Sequence, residues 1–178
     1  MANVTDAATV ATYASRIVAD VDRFYAATAM LEMAQVFAAE PSSSNSIFFL
    51  LDAALQQLIT SDLPPVCVAD EFVLHGLEVA GWAPSLVDCA QCGKPGPHRA
   101  FHPAAGGAVC VTCRPPGAFT PPSAAVHVLW LLKRGRHDQA AQEIRNHQGQ
   151  DIAATAHRLV LAHVRQQLEV GCPAYAAL

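Results

Sequence analysis

Apolar residues return every three or four positions along most of this chain, the period of an α-helix with one buried side. Asp6 to Ala39 contains neither glycine nor proline and is rich in Ala, Leu, Met, Gln and Glu, all strong helix formers. The pattern predicts helix across that stretch. Phe24, Ala27, Leu31, Ala34 and Ala38 trace one apolar stripe, and Met30, Met33 and Phe37 line a neighbouring one. A helix apolar over so much of its surface belongs at the centre of a core, with its methionines as packing.

Polar and proline-rich breaks set off the elements that follow. Glu40-Pro-Ser-Ser-Ser-Asn45 reads as a loop whose Ser and Asn side chains can cap the next helix. In that helix Phe48, Leu51, Leu55, Leu58 and Ile59 recur at three and four. Asp62-Leu-Pro-Pro65 breaks the chain again. Ala69, Phe72, Val73, Leu77 and Ala80 mark a further helix, closed by Gly81 where a left-handed cap is favoured. Helical pattern resumes at Ser123 with Val126, Leu129, Trp130 and Lys133, and a short helix is predicted over Asp138–Asn146. The last begins near Asp151 and buries Ile152, Ala156, Leu159, Val160, Val164 and Leu168.

Between these groups the character changes. From Pro84 to Pro122 there are eight prolines, five glycines and four cysteines in 39 residues, a density that no long helix survives. Arg99-Ala-Phe-His102 and Ala108-Val-Cys110, joined through Gly106-Gly107, predict a small hairpin. The expected fold class is therefore mainly α: a helical bundle with an inserted four-cysteine zinc-knuckle hairpin at about 84–122. Residues 1–178 are expected to form one domain carrying that insertion.

Cys89-Ala-Gln-Cys92 and Cys110-Val-Thr-Cys113 form C-x2-C-x17-C-x2-C. Two residues between cysteines let the chain turn so that both sulfurs face one point, and two such knuckles supply four thiolates to a tetrahedral Zn2+. Gly93 permits the left-handed turn that such a knuckle uses. A disulfide framework needs an oxidising compartment, which nothing here indicates. Redox catalysis by a C-x-x-C lacks its βαβ context, and a catalytic zinc needs an open coordination position that four cysteines do not leave. His98 and His102 could substitute for a cysteine but fit better as exposed residues on the hairpin, and Cys67 and Cys172 are expected as buried or half-buried thiols. The zinc is read as structural, replacing a core that this segment cannot build.

Composition adds two points. The chain is 52% hydrophobic and only 15% charged, against about 25% charged in an average domain, which suggests surface covered by another domain or partner. No apolar run approaches the ~18–20 residues of a spanning helix, and no basic segment leads into an apolar one at the start, so a cytoplasmic address is expected. Charge is also uneven: residues 1–93 hold two basic against eleven acidic residues, and residues 94–178 nine basic against four acidic. An acidic peptide or a polyanion is drawn to the second half. Lys94, Arg99, Arg114, Lys133, Arg134 and Arg136 are the candidate contacts with DNA phosphates or acidic side chains. Their alternative role is to solvate the knuckles and balance a site of charge −2. No G-x-x-x-x-G-K-[ST], G-x-G-x-x-G or H-E-x-x-H is present, and no enzyme is expected.

Phe72-Val-Leu-His75-Gly-Leu-Glu-Val-Ala-Gly81-Trp-Ala-Pro84-Ser-Leu-Val-Asp-Cys89-Ala-Gln-Cys92-Gly93 resembles the bacterial RecO recombination mediator family, actinobacterial members in particular. So do Gly96-Pro-His-Arg-Ala-Phe101, Gly106-Gly107-Ala-Val-Cys110-Val-Thr-Cys113-Arg114-Pro-Pro-Gly117 and Tyr25-Ala-Ala-Thr-Ala-Met-Leu-Glu32. The resemblance runs from about Tyr13 to Gly171. It implies DNA repair by homologous recombination without covalent catalysis, in the cytoplasm at the nucleoid. Implied partners are RecR, RecA, the acidic and hydrophobic C-terminal tail of single-stranded-DNA-binding protein (SSB), and single-stranded DNA, which family members anneal. Family members begin with an oligonucleotide-binding barrel, an OB-fold, and no such barrel is expected within residues 1–178. His75 stands where related sequences often carry arginine, and no basic residue follows Arg165. Two further readings stay open: a zinc-stapled helical module that binds DNA through residues 94–136, and a structural scaffold without recombination activity.

Overall fold

Aspartate side chains cap the helices that begin at Val21 and Ile152, and prolines stand at the start of those beginning at Pro65, Ser123 and Pro173. The computed structural model describes residues 12–39, 42–147, 150–168 and 171–178. In chain order these form α1 (Ala14–Ile17), α2 (Val21–Phe37), α3 (Ser44–Thr60), α4 (Pro65–Val79), β1 (Ala100–His102), β2 (Gly107–Val109), α5 (Ser123–Leu132), α6 (His137–Asn146), α7 (Ile152–Gln167) and α8 (Pro173–Ala176). A single 3-10 turn at Pro103–Ala105 joins the two strands. The fold is mainly helical, as the periodicity implies.

The unbroken helix expected from Asp6 to Ala39 is instead divided, with Asp6–Ala11 outside the described residues. Asp20 takes an extended conformation and its carboxylate accepts the Arg23 N–H at 2.9 Å. An aspartate that can satisfy a free helical N–H starts a new helix more readily than it continues an old one. After Asp62 the chain enters α4 through Pro64 and Pro65, with Pro65 in the first turn, where a missing N–H costs nothing.

Helix α4 is the axis of the bundle, packed by α2, α3, α5 and α7. Every residue from Cys67 to Leu74 is buried, as are Gly76 and Leu77. Gly76 meets Phe37 of α2 so closely that a Cβ would lie 2.3 Å from the ring. Helix α2 turns Ala26, Ala27, Ala29, Met30, Met33, Ala34 and Phe37 inward, between α3, α4 and α8. Its alanines, with Met30, Met33 and Phe37, take the crowded side, and Phe24 and Leu31 do not. Those two are 46% and 50% exposed, contrary to the stripe drawn through them. Phe48 in α3 is likewise 65% exposed, and Ile47, Ala54, Leu58 and Ile59 carry that contact. All six residues predicted inward on the last helix are buried.

Polar groups also enter this core. Asp70 lies fully buried on α4, and its Oδ1 accepts from His157 Nδ1 of α7 at 2.8 Å and from the Tyr175 hydroxyl of α8. His163 Nε2 donates to the Trp82 carbonyl at 2.8 Å, tying α7 to the turn after α4. Helix α8 was not predicted: four residues are too few for a periodic signal. It is held by Glu32, whose carboxylate accepts the N–H groups of Ala174 and Tyr175 at 3.3 and 3.0 Å. Among the described residues no helix is long and apolar enough to cross a membrane.

Candidate metal centre and the groove beside it

The predicted hairpin forms, antiparallel, with Ala100 opposite Val109, Phe101 opposite Ala108 and His102 opposite Gly107. It brings the knuckle before β1 to the one after β2. Ser85 N donates to Gly106 O at 2.9 Å, Ala108 N to Ser85 O at 2.8 Å, and Ala90 N to Ala108 O at 2.8 Å. Gly107 allows this: its φ is +122°, and a Cβ there would lie 2.3 Å from the Ser85 carbonyl oxygen. Gly93, at φ +69°, closes the first knuckle by donating to Cys89 O at 2.8 Å.

The sulfurs of Cys89, Cys92, Cys110 and Cys113 then lie within 4.8 Å of one another. Cys92 Sγ and Cys110 Sγ are 3.9 Å apart. A tetrahedron with metal–sulfur bonds of ~2.3 Å has edges of about 3.8 Å, so the donor set fits such an ion. All four thiols are free; a disulfide would require sulfurs at ~2.05 Å. The backbone prepares the charge. Cys110 N donates to Cys89 Sγ at 3.4 Å, and this bond, ahead of the others, holds the Cys89 thiol down to about 6. The Cys113 N–H lowers Cys110 in the same way. Cys113 is pushed up to about 12, first by the Cys92 sulfur beside it. A bound metal ion would stabilise all four sulfurs as thiolates.

His98 and His102, expected exposed, are half-buried. His98 Nε2 donates to Lys94 O at 2.9 Å, the carbonyl that also accepts from Cys89 N. His102 is drawn in by the strand it sits on. Neither belongs to the four-sulfur cluster. Cys67 and Cys172 are buried, and burial pushes the Cys67 thiol far above its ordinary range.

The six candidate basic residues separate into two groups. Lys94 and Arg114 lie on the knuckles; Arg114 folds back, its Nη2 donating to Ala118 O at 3.0 Å. Arg134 and Arg136 instead stack on Trp130, with guanidinium carbons 4.7 and 5.7 Å from the ring centre, a favourable cation–π arrangement. Lys133 is in reach of Glu78 at 3.5 Å. Arg99 is exposed and lines a groove of about 700 Å3 that runs past Trp130. Leu86, Val87, Pro97, Pro121, Ala124 and Val126 make that groove largely apolar. His127 stands over Trp130 at 5.9 Å. Glu143 is the acid on the lining, 3.7 Å from His127 Nδ1 and 3.8 Å from His147 Nδ1. Across Trp130 a second recess of about 420 Å3 is lined by Lys133 and Arg134. Sequence spacing singled out the basic residues but not Trp130, whose part depends on two loops and a helix meeting.

A family model described as recombination protein O C terminal matches residues 18–174. No solved structure matches the chain.

Proposed function

The chain belongs to the recombination protein O C-terminal family, whose work is DNA recombination and repair, and we propose that it is the adaptor portion of such a mediator. In this role it docks the acidic, hydrophobic C-terminal tail of SSB, and works with RecR to bring RecA onto SSB-coated single strands and to anneal strands. We assign Zn2+ to Cys89, Cys92, Cys110 and Cys113 in a structural role, with 84–122 as an insertion in one helical domain. Bound there, the ion supplies folding free energy. The action is non-covalent and takes place in the cytoplasm at the nucleoid.

The observation that carries this reading is the groove beside Trp130. Its apolar floor suits hydrophobic side chains, while Arg99 on its lining and Arg134 and Arg136 on the Trp130 ring suit aspartates and a terminal carboxylate. Direct DNA binding through the same residues is the second reading. A base-stacking platform needs an open aromatic face, whereas Trp130 already carries two guanidinium groups and the His127 ring. The peptide is therefore favoured over the nucleotide. Fluorescence anisotropy with a labelled SSB-tail peptide and with a labelled single-stranded oligonucleotide, each at two salt concentrations, tests this. The peptide is expected to bind; steeply salt-dependent oligonucleotide binding with no peptide binding would overturn the assignment.

A further inference from the structure

One wall of the groove belongs to the cysteine-bearing segment and the other to the helices. Leu86, Val87, Pro97, His98 and Arg99 come from either side of the first knuckle, while Trp130 stands opposite on α5. Hydrogen bonds tie that first wall to the ligand cysteines. Lys94 O accepts from both Cys89 N and His98 Nε2, and Asp88 Oδ1 accepts Gly96 N at 3.0 Å. After the second knuckle, Phe119 and Phe101 exchange backbone hydrogen bonds of 2.9 and 3.2 Å, which place Pro121 on the lining.

Besides these bonds, the turn at Pro103–Ala105 packs against α7. Leu86, Val87 and Phe101 reach the main core, and the rest of the segment has only the cluster of Cys89, Ala100, Val109 and Cys110 with Ala105, Cys113 and Ala118 against them. Three of those seven are metal-ligand candidates, three are alanines, and Val109 is the one larger aliphatic. So small an apolar cluster cannot offset the entropy of ordering a chain this rich in glycine and loops. The helices, by contrast, share a continuous core of their own.

We infer that the Pro97–Arg99 side of this wall stands only while the four thiolates share a metal ion, so that metal occupancy switches the groove between competent and incompetent for an acidic peptide. The inference rests on the peptide reading above for its ligand, but its structural half can be checked without one. The experiment uses the full chain carrying Trp82→Phe, so that Trp130 is the sole tryptophan, loaded with Zn2+ or stripped by a chelator. Helix content is followed by far-ultraviolet circular dichroism, Trp130 access by acrylamide quenching, and docking by anisotropy of a labelled peptide joining a run of aspartates to apolar terminal residues. Stripping is expected to leave helix content largely intact, raise Trp130 quenching and weaken peptide binding about ten-fold or more, all reversed by adding Zn2+. Equal peptide affinity with and without metal would overturn the inference, as would collapse of the helices with the metal. If the zinc-loaded chain binds no peptide, the peptide reading fails. Quenching then decides the wall alone: unchanged on stripping, it overturns the inference; raised, it upholds the wall's dependence on metal.

Discussion

The Tyr175 hydroxyl of α8 donates to Asp70 Oδ1 in the centre of the bundle, across 105 residues of sequence. That bond joins the last helix to the axial one. His157 donates to the same oxygen, and Asp70 Oδ2 is buried without a partner among the described residues. Tyr175→Phe keeps the ring and removes one of the two donors from a fully buried carboxyl. It is expected to cost about 1–3 kcal/mol, read as a lower urea midpoint at unchanged slope. A midpoint equal to wild type would mean that the bond contributes nothing net.

Two buried groups give opposite pH slopes. Burial pushes the Asp70 carboxyl up, with the His157 and Tyr175 bonds pulling it partly back. A raised folded value means that its contribution is full below the ordinary carboxylate range and is lost as pH rises through the folded value. Wild type should therefore lose stability relative to Asp70→Asn as pH increases from about 4. Burial lowers His163, against a smaller opposing effect of the Trp82 carbonyl. Its contribution is present above the ordinary histidine value and lost as pH falls below about 6.5. His163→Gln should remove that acid-side loss. Unfolding midpoints from about pH 4 to about pH 8 check both signs.

Cys110→Ala removes one of the four sulfurs while keeping the backbone N–H that donates to Cys89 Sγ. The expected outcome is loss of bound Zn2+ and loss of amide-exchange protection at Ala100–His102, since removing a ligand forfeits most of the metal's folding free energy. Metal content and melting temperature equal to wild type would sink the four-cysteine assignment.

Gly76→Ala places a methyl carbon 2.3 Å from Cε2 and 2.4 Å from Cδ2 of Phe37. That ring is buried and packed edge-on against Phe72 at 6.4 Å between centroids, so it has little room to retreat. Overpacking of about 1–3 kcal/mol should exceed the ~1 kcal/mol gained in helix propensity. In a Phe37→Leu background the penalty should shrink, a coupling that a double-mutant cycle measures.

The two groups of basic residues should behave differently. Arg134→Ala and Arg136→Ala are each expected to weaken acidic-peptide binding several-fold, about 1 kcal/mol, by removing a cation held on Trp130. Lys94→Ala and Arg114→Ala should leave that affinity within about two-fold, because neither lies on the groove lining nor rests on Trp130. Peptide titrations of the four variants check this; equal losses at all four would point to bulk charge in place of a defined groove.

Local chemistry was written plainly in the chain. The helix breaks follow Pro64-Pro65 and the 84–122 segment, Gly81, Gly93 and Gly106 take the left-handed φ their turns require, and the paired C-x2-C knuckles converge as their spacing demands. Asp20 was a legible start signal too, overlooked because the residues around it are strong helix formers. The exposed Phe24, Leu31 and Phe48 show where periodicity stops. It marks an apolar stripe but not which neighbour covers it, and α2 presents its alanines where three helices crowd in.

The sequence alone settles what depends on residues close together: helix periods, caps, turns, and a sulfur cluster closed by one short hairpin. Contacts across the whole chain belong to the tertiary fold. Asp70 gains its partners only when α7 and α8 dock on α4, and Trp130 becomes part of a groove only when the cysteine-bearing segment folds against α5. The reason is physical: a buried hydrogen bond or an apolar groove depends on which surfaces exclude water together, and packing of distant segments sets that.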